Sequence, residues 1–120
     1  MNAASLALIL TGVLLNAAAQ LLLKAGGDIV LNGHDHDYER FAPQDENGKD
    51  SPTGIRQFVV GTGGGGVYRF NTPAANSERR DNATYGVLKL TLKPGAYDWE
   101  FLPASGTFTD AGSGTCTPKP

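Results

Sequence analysis

"DIVLNGHDHDYERF", residues 28–41, decides how this chain is read, because it carries both histidines and joins an apolar run to a polar one. Ile29, Val30 and Leu31 form a short apolar run that ends shortly before Gly33, the pattern of a buried strand delivering the next residues to a loop. His34 and His36 then stand two positions apart. On an extended backbone such residues point to one side, so both imidazoles would face one cavity while Asp35 and Asp37 face away. Two neutral imidazoles on one side suit zinc, iron, manganese or cobalt. A bare His-x-His is more often a solvated pair than a ligand pair. Its place at a strand's end, behind a glycine that lets the backbone bend tightly, shifts the balance toward ligands.

Downstream, "FAPQDENGKDSPTG" (residues 41–54) is dense in Pro, Gly, Asn and Asp and reads as a surface loop. "IRQFVVGTGGGG" (residues 55–66) reads as a strand running into a glycine-rich turn; no Gly-Lys-Ser/Thr follows, so a turn is favoured over a nucleotide cradle. In "YGVLKLTLKPGAYDWEFLP" (residues 85–103), Leu88, Leu90 and Leu92 alternate with Val87, Lys89 and Thr91, and Tyr97, Trp99 and Phe101 alternate with Asp98 and Glu100. That predicts a hairpin with one apolar face and Trp99 in the core. Lys93-Pro94-Gly95-Ala96 suits its type II turn, with Pro94 presetting one φ and Gly95 accepting a positive one. "SGTFTDAGSGTCTPKP" (residues 105–120) is polar and reads as a loose tail.

Upstream, residues 1–26 carry no charged side chain before Lys24, and their apolar residues surround every helical face. As a helix, residues 4–23 would be about 30 Å long, which matches a bilayer's hydrocarbon core. A single membrane span through residues 4–23 is the leading reading, with Asn16 and Gln20 one helical turn apart. The alternative is a secretory signal cleaved near Ala17-Ala18-Ala19, which would remove residues 1–19 and leave a secreted chain. Three regions follow: an apolar helix over 1–26, a β-rich domain over 27–104 and a tail over 105–120. A net charge of -2 and a pI near 5.5 provide no basic surface for nucleic acid, and Arg79-Arg80 is too short a run to change that. Cys116 is the only cysteine, so no internal disulfide forms. Asn82-Ala83-Thr84 fits a glycosylation sequon, a pattern common by chance that points to surface exposure.

The motif "DIVLNGHDHDYERFAPQ" resembles the last metal-binding motif of the calcineurin-like metallophosphoesterases, in the Gly-His-x-His-x-Tyr-Glu-Arg form of purple-acid-phosphatase-like enzymes. The likeness continues through "GIRQFVVGTGGGGVYRF" and "TYGVLKLTLKPGAYDWEFLPASGTFTDAGSGTC", and so covers residues 28–116. The resemblance implies an α+β fold: the β-rich C-terminal part of an αββα sandwich, incomplete and preceded by one apolar helix. It implies a two-metal centre of zinc, iron or manganese in which His34 binds one ion and His36 the other, with Tyr38, Glu39 and Arg40 as support nearby. The implied activity is hydrolysis of a phosphate ester by a metal-bound hydroxide, and the implied origin is bacterial. Residues 1–26 are similar to the first transmembrane helix of small multidrug-resistance and EamA-type transporters, without the membrane-embedded glutamate of the drug exporters.

The family takes its other ligands from an Asp-x-His, a Gly-Asp, a Gly-Asn-His and a further His, and none of these precedes Gly33. The expectation is therefore a truncated phosphoesterase, inactive by itself. The rival expectation is a single-span membrane protein with a non-catalytic β-rich appendage, and a third is a small module that holds one metal without turnover. With the family's neighbouring strands missing, Ile29, Val30 and Leu31 are expected to be exposed and to favour oligomers.

Overall fold

The computed structural model describes residues 20–70 and 72–118. The chain forms β1 (Ile29–Asn32), β2 (Tyr38–Phe41), β3 (Arg56–Val60), β4 (Ser77–Asp81), β5 (Gly86–Lys93), β6 (Ala96–Pro103) and β7 (Ala111–Thr115). Two sheets result, one of four strands in the order β1-β3-β2-β4 and one of three in the order β5-β6-β7. In the first, β1 runs parallel to β3, and β2 is antiparallel to both β3 and β4. The second is an antiparallel meander.

The meander follows from alternation. Leu88 pairs with Phe101, Leu90 with Trp99 and Leu92 with Tyr97, and the turn between Lys93 and Ala96 places Gly95 at φ 71°. The three rings are buried and Leu88 and Leu90 pack against them, whereas Leu92, at the open end of the strand, is 75% exposed. On the opposite face, Lys89 pairs with Glu100 and Lys93 with Asp98. The rings of the second sheet meet Tyr38 and Phe58 of the first, with Ile29, Val60 and Phe108 around them. Phe58 and Trp99 make an edge contact at 5.6 Å, and Tyr38 and Phe101 a tilted one at 4.8 Å.

This architecture corrects the expected fold class. The described residues are mostly β, with one short helix at residues 20–24, and they do not form an αββα sandwich preceded by an apolar helix. Each sheet buries its aromatic face against the other, and the ion-paired outer face of the meander needs no helical layer to cover it. No helix among the described residues is long and apolar enough to cross a membrane. The proposed span over 4–23 and the signal over 1–19 lie wholly or mostly outside the described residues. The short helix stops at Gly26, whose φ is 74°. Gly26 N–H donates to Leu23 O and Gly27 N–H to Leu22 O, the paired closure of a Schellman motif.

The segment read as a loose tail instead supplies β7, which pairs with β6 from Ala96↔Thr115 to Glu100↔Ala111. Its inner face is glycine because rings lie across it: a Cβ at Gly112 would overlap Trp99, and one at Gly114 would overlap Tyr97. At the edge of the first sheet, Leu31 is 51% exposed, while Ile29 packs against the core.

Candidate functional site

Residues 33–37 link the end of β1 to the start of β2. The backbone is not extended there: His34 has φ 81°, in the left-handed region that a side chain with a Cβ rarely adopts. His34 and His36 are therefore not placed on one side by an extended backbone, contrary to what the sequence spacing predicts. His34 is exposed and makes no hydrogen bond or ion pair among the described residues, while His36 is half-buried.

The His36 ring is fixed on two sides. Its Nδ1 lies 2.6 Å from the carbonyl oxygen of Gly66, and its face stacks on Tyr68 with centroids 4.7 Å apart. A carbonyl only accepts, so Nδ1 carries a proton, and in the neutral ring Nε2 is then the nitrogen with the lone pair. The main chain adds a bond from Tyr68 N–H to His36 O at 3.1 Å. The glycine run is what lets the two loops approach. A Cβ at Gly65 would crowd the His36 ring, and one at Gly61 would overlap the Asp35 carbonyl. Read from sequence as a flexible turn, the run is a surface against which the histidine turn lies.

Asp37 closes the turn. Its carboxyl is buried, and Oδ1 has no hydrogen-bond partner among the described residues. Burial, reinforced by the negative charges of Asp35 and Glu39, pushes its pKa up to about 6 against the pull of Arg80 and His36.

The residues assigned to support continue along β2 and point to alternate faces. Glu39 accepts a hydrogen bond from Ser77 Oγ at 2.5 Å. Tyr38 Oη donates to Asp110 Oδ2 at 2.7 Å, and Arg40 donates to the same carboxylate from Nε at 2.6 Å and from Nη2 at 3.2 Å. Arg40 also pairs with Glu78, which takes a second bond from Arg56 at 2.7 Å. Both guanidiniums lie 5.0 Å from the Trp99 ring. Burial alone would push the Asp110 carboxyl up, but hydrogen bonds from Arg40 and Tyr38 outweigh it and hold its pKa below the usual range. Tyr38 is pushed up by burial and by Asp110. Asp110 was not among the residues singled out from the sequence, where it sits in a polar stretch about 70 positions from its partners.

These residues fit a metal in part. A ligating histidine characteristically gives its other ring N–H to a carbonyl or carboxylate, and His36 does so. No group of three or more His, Cys, Asp or Glu able to hold an ion is found among the described residues. No protein-family model matches this chain, and no curated protein or solved structure matches it either.

Proposed function

We propose that this chain is related to the metallophosphoesterases and keeps one element of their metal chemistry: capture of a single divalent ion through His36 at the turn that also carries His34, with no ester turnover by itself. The observation that carries the reading is the His36 ring, tied through Nδ1 to the Gly66 carbonyl so that Nε2 is the nitrogen left for a ligand bond. The positive φ of His34 supports it. Strained backbone at a residue other than glycine concentrates at functional sites, and glycine would hold this position at less expense.

A divalent ion held there would supply positive charge for a phosphate oxygen, which makes phosphate esters the class of ligand to test. His36 would bind the ion through Nε2, while Gly66 O holds the Nδ1 proton and Tyr68 stacks against the ring. Calorimetry of the full chain with zinc and with manganese, beside His34→Ala/His36→Ala, tests the binding, and an aryl phosphate assay tests turnover. One ion per chain, lost in the double variant, with no hydrolysis above background is the expected result. Two ions per chain with hydrolysis abolished by chelation contradicts the single-ion reading, and unchanged binding in the double variant removes the histidines from it.

A further inference from the structure

We propose that Asp110 is the positioning residue of the histidine turn: by clamping β2 to the second sheet, it holds His36 where its Nδ1 meets the Gly66 carbonyl. As a statement about metal affinity, this rests on the reading above.

Tyr38 and Arg40 are the β2 residues two and four positions beyond His36, and one buried carboxylate takes a hydrogen bond from the hydroxyl of the first and two from the guanidinium of the second. The carboxylate is itself held in place. Asp110 O accepts Phe101 N–H at 2.8 Å, and the neighbouring Thr109 hydroxyl donates to Phe101 O at 2.9 Å, which fixes the residue to β6 just before β7 begins. Phe108 closes the other side, with its ring 5.6 Å from Tyr38 and 5.4 Å from Phe101. The clamp therefore joins the strand that leaves the histidine turn to the more regular of the two sheets.

What the clamp controls lies at the other end of Tyr38. His36 precedes β2, while Gly66 lies in the loop that follows β3, so the short Nδ1 contact spans two neighbouring strands. Those strands are tied together near the site by Gly61 N–H to Asp37 O at 2.9 Å. A slide of β2 along β3 moves the ring away from the carbonyl. A hydrogen bond of this length does not survive a displacement of about 1 Å. Once it is lost, the proton is free to occupy Nε2, and the nitrogen meant for the ion is blocked.

The test is made on the full chain, metal-free, by 15N NMR of the His36 ring at pH 8, followed by zinc titration. In the unaltered chain the Nδ1–H form is expected alone. Asp110→Ala is expected to give a mixture of the two tautomers and about a tenfold weaker zinc affinity, the lower end of what loss of an outer-shell partner does. Tyr38→Phe keeps the ring, deletes one of the three bonds to the carboxylate, and is expected to shift the mixture in the same direction by less. It also serves if Asp110→Ala does not fold. A His36 tautomer unchanged in whichever of the two variants stays folded, as judged by the amide resonances of the β5–β6 hairpin, overturns the proposal. A tautomer change in a chain whose unaltered form binds no zinc upholds the positioning role and overturns the metal reading instead.

Discussion

Asp37 and Asp110 are equally buried, at 8% exposure each, yet their carboxyl groups lie in opposite surroundings. Asp110 faces a guanidinium and a phenol and is held charged. Asp37 lies between two further carboxylates, leaves one oxygen without a partner among the described residues, and is driven toward its neutral form. The same contrast extends to the regions around them. The clasp between the sheets satisfies its charges. The turn between β1 and β2 holds an unsatisfied carboxyl and a histidine at positive φ. Features that oppose stability persist where something else is gained from them, which is the physical ground for looking for function in the turn.

The strongest way to break this comparison is to remove the clasp. Asp110→Ala leaves Arg40 with Glu78 as its one remaining carboxylate and is expected to destabilise the chain by about 2–4 kcal/mol in denaturant unfolding. The pH dependence has a definite sign. Because the Asp110 pKa is lowered on folding, its contribution is present above the unfolded carboxyl value near 3.8 and is lost as pH falls through the lower folded value. The variant should lack that part of the acid sensitivity.

Gly112→Ala or Gly114→Ala attacks the same junction sterically, pushing a methyl into Trp99 or Tyr97, with an expected loss of about 1–3 kcal/mol. Gly63→Ala, where a Cβ meets nothing, is the control and should change stability little.

The turn should respond in the opposite direction. In metal-free protein, Asp37→Asn is expected to stabilise at pH 8 by about 1–3 kcal/mol and to do little at pH 4. The sign follows from a folded pKa of about 6 above the ordinary carboxyl value of 3.8: the neutral carboxyl is tolerated below both, and folding is penalised progressively as pH rises between them and fully above. A loss of stability at pH 8 would erase the distinction between the two aspartates. The smallest expected effect is that of His34→Gly, a gain of about 1 kcal/mol from relieving the positive φ, accompanied by weaker zinc binding.

Much of the second sheet was legible because period-2 alternation is a local signal, and Leu88 to Phe101 carry it without interruption apart from the Pro-Gly turn. β1 and β3 announced themselves as apolar runs. β2, β4 and β7 did not. Tyr38–Phe41 and Ser77–Asp81 are rich in charge, and that charge is accommodated by partners distant in sequence, such as Arg40 with Glu78 and Asp110. Ala111–Thr115 has the composition of a loop because glycine is what fits beneath two rings.

The candidate site was legible as residues and not as geometry. His34 and His36 stood out by type and spacing, but nothing local foretold the positive φ that takes His34 out of an extended backbone. The Gly66 carbonyl and the Asp110 carboxylate lie 30 and 74 positions from His36, and only the pairing of strands brings them into play.

The most direct test of the account is a zinc titration of the full chain followed at both ring nitrogens of His36. The account predicts that the Nε2 resonance moves and saturates at one ion per chain while Nδ1 keeps its proton on Gly66. Movement at Nδ1 in place of Nε2, or no response at either nitrogen, would contradict it.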